Sequence, residues 1–566
     1  MRQPLRYASK SWRFNLVILF FIIFIILIIS KLFWLMILDT QGMNWGDQTS
    51  IRKEITKAHR GRILDRHGNP LAISTLVTAL GLRRNILEKN NDWAYLLGKA
   101  AEIPADRLLN RVKKTETNFI YASRYLTPEK AAAVRALNIP GVELKEQFRR
   151  FYPAGEVVSH LVGFTDVEDE GQEGLEVSYQ VHLSGVDGSR TVLTNNLKQG
   201  IRYVSDGNEV RHGRDLNLSI DLQVQYLAYR ALKEAVLDSG AKAGSVVLLD
   251  GITGEVLALA SQPSFNPNDT EERLPPLVRN RPVSDLMEPG SPIKPFTIAA
   301  AMDFGSVDMS TLIQTSPGRF KIDCKVIKDI KNYGELDLDG IIKKSSNIGA
   351  AKIALTIDPH RFLEKLNLLG LGKSTGSGLI SEAEGHLPGL VKWSECDRAA
   401  LSFGYSLNIT PLQLAQAYSV FVNEGLMQPI TLFLGGEERP KVSVFSKETA
   451  IAVKSMLHSV TKIGGTGQKA RVPDFHVGGK TGTTMKSVEG SYASRSYWSS
   501  FVGIAPVENP RFVMVVVIDD PQVDVYYGGA VAAPVFSKVM DRVLQIYGIS
   551  PDNLVTKRNR ARNDES

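Results

Sequence analysis

EPGSPIKP, residues 288–295, sets a serine and a lysine three positions apart between prolines, just ahead of the apolar run FTIAAAMDFG (296–305). Residues three apart on a helix share a face, with Cβ atoms about 5–6 Å apart, so a first-turn serine can meet its lysine. The spacing predicts a helix with Ser291 at the N-cap, Pro292 at N1 and Gly305 at the C-cap end. Pro295 falls inside the first turn, where a missing N–H costs little. Taken alone, the pattern is equally that of a capped helix carrying a solvated lysine. Ser-x-x-Lys also occurs at Ser50/Lys53, Ser239/Lys242 and Ser459/Lys462, without comparable capping or apolar context.

Two later motifs give Ser291 and Lys294 company. KKSSNIGAAKIAL places Ser345-Ser346-Asn347 at a polar-to-helical junction, although Ser-x-Asn recurs at Ser264/Asn266 and Ser406/Asn408. FHVGGKTGTT places Lys480-Thr481-Gly482-Thr483, and Lys-Thr-Gly occurs nowhere else in the chain. Val477 and the small residues after it read as a strand whose side chains are kept small so that something can lie close against it. A serine hydroxyl is a weak nucleophile and needs an adjacent base; no histidine motif is in evidence, so the amine of Lys294 is the candidate. That amine must then be neutral part of the time, and burial together with a second cation, Lys480, pushes a lysine in that direction.

Around these motifs the pattern is α+β. LNLSIDLQVQYLAYRALKEAV (216–236) spaces Val224, Leu227, Ala228, Ala231, Leu232 and Ala235 helically. SVVLLDGITGEVLALA then reads as a hairpin turning at Asp250–Gly254, and SSFVGIAPVENPRFVMVVVIDD repeats the pattern with Pro506–Pro510 as the turn. A last helix covers Ala532–Tyr547. Strand pairs bracketing a helical middle predict one antiparallel sheet whose first and last parts meet, packed against a helical cluster.

Residues 45–215 mix short alternating segments with turn signals, Asp65–Asn69 among them, and read as an extended, strand-rich spacer. Before it, Leu16–Ile29 is uninterrupted apolar sequence, and Leu32–Leu38 continues it after Ser30 and Lys31. About 20 apolar residues cross a bilayer, and the bulky LFWLMIL end is unlike a cleavage site, so the segment reads as an uncleaved anchor. Arg2, Arg6, Lys10 and Arg13 precede it, which predicts a cytoplasmic N-terminus with the rest of the chain outside. The resulting division is a tail at 1–13, a transmembrane helix at 14–38, a pedestal at 45–215, a catalytic domain at 216–550 and a basic tail at 551–566. At 566 residues, more than one hydrophobic core is required. The net charge of +7 is spread thinly, and the tail holding Lys557, Arg558, Arg560 and Arg562 reads as solvated and not as nucleic-acid binding. Cys324 and Cys396 lie outside any metal-ligand spacing, so no metal is expected, no cofactor is called for, and one bridge between them stays open. No Gly-x-x-x-x-Gly-Lys-Ser/Thr loop is present.

Ser-x-x-Lys, Ser-x-Asn and Lys-Thr-Gly in this order resemble the penicillin-binding proteins and serine β-lactamases. AHRGRILDRHGNPLA (58–72), FRRFYPAGEVVSHLVGF (148–164), GQEGLE (171–176), SFGYSLNITPLQLAQAY (402–418) and YYGGAVAAPVF (526–536) extend the resemblance over nearly the whole chain, to class B penicillin-binding proteins and most to the division-specific FtsI type. The resemblance implies a serine β-lactamase-like transpeptidase domain on a pedestal with a dimerisation-domain likeness. It implies that Ser291 attacks a peptidoglycan stem peptide, that Lys294 and Lys480 serve it, and that Ser345 relays a proton. Asn347, Thr481, Gly482 and Thr483 would hold substrate. β-Lactams would acylate Ser291. The implied partners are an FtsW-type glycosyltransferase and other division membrane proteins, at the septum of a bacterial inner membrane with the catalytic domain periplasmic. An elongation-type enzyme, a non-catalytic scaffold and a β-lactam sensor are the competing readings. A Glu-x-x-Leu-Asn pattern of the kind that supplies a hydrolytic glutamate in class A β-lactamases is absent from the sequence.

Overall fold

The computed structural model describes residues 11–38, 51–88, 92–194, 200–322, 325–389, 393–436, 439–486 and 496–552. Arg2, Arg6, Lys10, Ser50, Cys324 and the basic residues 557–562 therefore lie outside the described residues. Two compact units result, one from residues up to 58 with 185–212, the other from 59–184 with 213 onward.

The first unit contains a helix, Ser11–Phe33, running into a π-helical turn, Trp34–Leu38. Its apolar stretch, Trp12–Met36, is 25 residues long, enough at about 1.5 Å per residue to cross a bilayer. Large apolar side chains are exposed all along it, and a helix apolar on every face has no side suited to water. Lys31, near its end, stacks over the Trp34 ring at 4.1 Å. The same unit holds a three-stranded antiparallel sheet of Ile51–Thr56, Gly188–Thr194 and Gly200–Asp206, with the second strand in the middle.

The second unit begins with the rest of the pedestal. The long strand Pro70–Arg83 pairs with Phe119–Leu126 and with Val142–Phe151. Three helices, Asp92–Ala101, Ala105–Lys114 and Pro128–Ala136, pack on it through Leu97, Leu108, Val112 and Val134. The spacer is therefore less purely extended than its sequence pattern predicts. These helices are only nine or ten residues long and strongly charged, so few apolar positions mark their buried faces. The predicted turn at Asp65–Asn69 is present, with Asp65 Oδ1 accepting from the backbone N–H of His67 and of Asn69. Beside it, Ile63–Leu64 runs antiparallel to the Pro70 end of the long strand and parallel to Leu216–Asn217, joining pedestal to catalytic part.

Three of the quoted segments converge on one buried ion cluster. Arg60 and Arg150 each place Nε 2.6 Å from a different oxygen of Glu176, with side chains 1%, 1% and 0% exposed. Arg60 also donates to the backbone oxygens of Glu176 and Asp169. One carboxylate shared by two guanidiniums explains why Arg60, Arg150 and Glu176 sit in three separate motifs.

The catalytic part is built on strands β1 (Ala243–Asp250), β2 (Val256–Gln262), β3 (Gly478–Met485), β4 (Tyr497–Ala505) and β5 (Phe512–Asp519), in the order β2-β1-β5-β4-β3. Every pairing is antiparallel, and the first strand meets the last, Val247 opposite Val515, as predicted. Alternate residues of β1 and β5 enter different cores. Val246, Leu248, Met514 and Val516 share one with helices α1 (Leu222–Asp238) and α6 (Ala533–Ile546). Val247, Leu249, Val513 and Val515 share the other with α2 (Lys294–Asp303), α3 (Leu338–Lys344) and α5 (Lys447–Thr461). With both faces covered, β5 needs no polar residues, which is why FVMVVVI shows no polar alternation. Helix α4 (Asn347–Leu355) follows α3 after a two-residue break.

Candidate active site

Helix α2 is buried almost throughout, with Ala299, Ala300 and Ala301 wholly inaccessible, so Ser291 and Lys294 are presented from a rigid central element. Its start differs from the predicted capping. Gly290, with φ of +67°, takes the N-cap position, Ser291–Ile293 form a 3-10 turn, and the α-helix begins at Lys294. Ile293 N–H donates to Gly290 O, so the turn is closed by backbone and the Ser291 hydroxyl makes no cap bond. Tyr418 holds the turn from below by donating to Pro292 O at 2.7 Å. The hydroxyls of Ser239 and Ser459 donate to their own helix carbonyls, Ala235 O and Met456 O, and so stand apart from this arrangement.

Ser345 and Ser346 split the roles that the junction sequence leaves undivided. Ser346 is the N-cap of α4, accepting from Gly349 N–H at 2.9 Å. Ser345 closes α3 in the left-handed region (φ 60°, ψ 41°), a conformation that non-glycine residues hold only when their surroundings impose it. Asp329, which the motif pattern does not reveal, secures this junction. Its Oδ1 accepts from the N–H of Asn347 and Ile348 at 2.6 and 3.2 Å, and its Oδ2 accepts from Ser346 Oγ.

The predicted residues meet at one place. Ser345 Oγ is 3.0 Å from Ser291 Oγ, 2.8 Å from Lys480 Nζ and 3.2 Å from Lys294 Nζ. Lys294 Nζ also donates to Ser345 O and Asn347 Oδ1, at 2.6 and 2.7 Å. No direct bond joins Ser291 to Lys294 among the described residues, contrary to the first-turn contact expected from the spacing; Ser345 stands between them. The three lysine donors are directed to α3 and α4, the geometry that the left-handed Ser345 creates.

Both lysines are completely buried. Burial pushes the Lys294 amine down to about 7, against a raising influence from Asp329. Burial likewise pushes Lys480 well below the ordinary lysine range, and the charge on Lys294 lowers it further. Two ammonium groups converging on one hydroxyl cannot both remain charged at little cost, so the pair yields at least one neutral amine near neutral pH.

Strand β3 is the sheet edge, and among the described residues its outer side pairs with no strand. Gly482 is forced: a Cβ there would lie 2.3 Å from Ser500 Oγ, 2.9 Å from Pro292 Cδ and 3.0 Å from Pro289 O. Thr481 Oγ1 donates to Thr466 Oγ1 at 2.9 Å, while Thr483 Oγ1 accepts from Gly528 N–H at 3.1 Å. Thr466 went unnoticed in the sequence because its neighbours, Gly464, Gly465 and Gly467, read only as a turn.

A serine hydroxyl linked through a second hydroxyl to two buried amines, beside an open strand edge, defines an acyl-transfer centre in which lysine takes the place of histidine. The chain belongs to the penicillin-binding protein family: residues 244–541 match the "Penicillin binding protein transpeptidase domain" and residues 55–218 the "Penicillin-binding Protein dimerisation domain". The Escherichia coli K12 protein named "Peptidoglycan D,D-transpeptidase FtsI" is 38% identical over 554 residues, covering 96% of this chain and 94% of the relative. "Probable peptidoglycan D,D-transpeptidase PbpC" of Pseudomonas aeruginosa is 38% identical over 547 residues, 96% of this chain and 97% of its own. Among solved structures, penicillin-binding protein 3 of Mycobacterium tuberculosis complexed with aztreonam aligns with a TM-score of 0.70 and 26% identity, over 88% of this chain and 98% of that one. The transpeptidase domain of Burkholderia pseudomallei penicillin-binding protein 3 gives 0.55 and 39%, over 59% and 97%. Cys396 is disulfide-bonded.

Proposed function

We propose that this chain is a peptidoglycan D,D-transpeptidase that works through a serine acyl-enzyme and is a target of β-lactams. The observation that carries the mechanism is the hydrogen-bonded chain from Ser291 through Ser345 to Lys294 and Lys480. Ser291 Oγ attacks the carbonyl of the penultimate D-Ala, and its proton moves through Ser345 Oγ to the neutral Lys294 amine. Collapse breaks the C–N bond, the proton returns by Ser345 to the departing D-Ala nitrogen, and an ester to Ser291 remains. An amine from a neighbouring stem peptide then attacks that ester, gives up its proton along the same chain and frees Ser291.

Lys480 fixes Ser345 and, with Thr481 and Thr483, faces the terminal carboxylate of the donor peptide. Asn347 Oδ1 is occupied by Lys294 and one N–H by Lys328 O, which leaves its second N–H for the peptide's amide oxygen. The backbone N–H groups of Ser291 and Thr483 serve as the oxyanion hole, each worth about 3–4 kcal/mol. Gly482 lets the substrate backbone lie against β3. A β-lactam acylates Ser291 in the same way, and its tethered leaving group stays in place.

The N-terminal span anchors the enzyme in a bacterial cytoplasmic membrane as a single pass. Basic residues ahead of the span support an inside N-terminus, a periplasmic pedestal over 45–215 and a catalytic domain over 216–550. Work at the division septum beside an FtsW-type glycosyltransferase follows from likeness to the FtsI protein. Mass spectrometry of penicillin-treated protein tests the reading: the adduct is expected on the peptide holding Ser291, and Ser291→Ala is expected to abolish it with an unchanged melting curve. An adduct elsewhere, or on the variant, overturns it.

A further inference from the structure

A cavity of about 360 Å³ lies where the pedestal meets the loop Asn266–Leu274 of the catalytic part, far in sequence from every active-site motif. The loop is tied down by Asn268, which exchanges hydrogen bonds with the Tyr152 backbone, and by Arg273, which donates to Thr165 O and Pro267 O. Arg124, Arg149, Arg150 and Arg273 all line the cavity.

The arginines are under-satisfied. Arg150, with 1% of its side chain exposed, binds Glu176 through Nε and Ser74 through Nη1, yet Nη2 has no partner. Arg273 Nε also has none, and its guanidinium is lowered by burial first and by nearby Arg149 among its charged neighbours. No carboxylate lies within ion-pair distance of Arg149 or Arg273 among the described residues; Arg149 stacks only on Tyr125, at 5.0 Å. Glu176 is already shared between Arg60 and Arg150, and Arg124 is taken by Glu168. A buried guanidinium N–H without an acceptor costs about 1–3 kcal/mol or more, so native structures rarely leave one unless something supplies the acceptor.

We infer that this cavity binds a carboxylate of an acidic peptide, with Arg150 Nη2 and Arg273 Nε as donors and Arg149 at the rim. A singly charged head is favoured over a phosphate dianion because Asp166 and Asp169 stand on the same wall. Asp169 Oδ1 is itself buried without a partner, and burial raises its carboxyl to about 6, which softens but does not remove that opposition. A peptide is favoured over a small anion because Gln147 to Arg150 lie on Val142–Phe151, whose only strand partner among the described residues is Pro70–Arg83. Its other edge offers backbone groups for an added extended segment. Arginine forks suit planar carboxylates, and Tyr125 and Phe148 flank them with apolar faces.

The test is fluorescence anisotropy of fluorescein-labelled tetraglutamate with the full chain in detergent at about 0.15 M salt, where diffuse surface attraction is screened. Saturable binding is expected, weakened about tenfold or more by Arg149→Gln and by Arg273→Gln, with unlabelled tetraglutamine failing to compete. Arg149 is exposed, so its variant is expected to fold, and normal penicillin acylation of the same samples verifies this. No saturable binding, equal binding by the variants, or displacement by inorganic phosphate at lower concentration than by tetraglutamate would each overturn the assignment.

Discussion

At the scale of single residues, the decisive placement is Ser345 between the nucleophile and its amines. With Lys294 at about 7, its ammonium form has three donors and no lone pair to accept the Ser291 proton; above 7 the amine predominates. Acylation by penicillin should therefore rise about tenfold per pH unit below 7 and level off above it, measured by stopped-flow labelling between pH 5 and 9. The midpoint belongs to the Lys294–Lys480 pair together. Gly482→Ala should drive β3 away from Ser291, since Pro289 O and Pro292 Cδ already occupy the space a methyl group needs. A displacement approaching 1 Å costs about a hundredfold in acylation rate, so the same assay should detect it, with the melting temperature falling less steeply than the rate.

At the scale of elements, α3, α4 and β3 each contribute through their ends. Asp329→Ala would leave the N–H groups of Asn347 and Ile348 and the Ser346 hydroxyl without their acceptor. A loss of about 1–3 kcal/mol in thermal unfolding is expected, with slower acylation because Asn347 no longer holds Lys294 in place. The sequence showed which segments carry chemistry, because a serine, a carboxamide and an amine in small-residue settings stand out locally. It did not show that Ser345 turns left-handed, that Gly290 displaces Ser291 from the cap, or that Asp329 braces the junction. Those facts depend on contacts among residues 290, 329 and 345–348, which no local period encodes. The sheet was legible for a related reason: β1, β2, β4 and β5 are apolar runs with clear turns, whereas the short charged helices of the pedestal present too few buried positions to be seen.

At the scale of the whole molecule, the pedestal segments quoted for their resemblance are held by charge. Glu176→Gln should leave Arg60 and Arg150 buried without a counter-charge, destabilising this unit by about 3–5 kcal/mol. Limited proteolysis should then cut within 59–184 before the sheet of the catalytic part is lost. The closure of that sheet carries a consequence for biosynthesis. The central strand β1 waits for a neighbour, β5, that leaves the ribosome more than 250 residues later. During translocation, one side of a wholly apolar ribbon stays open to any passing extended polypeptide. Chains halted before residue 512 should therefore require a periplasmic holdase to stay soluble, whereas chains reaching residue 546 should not.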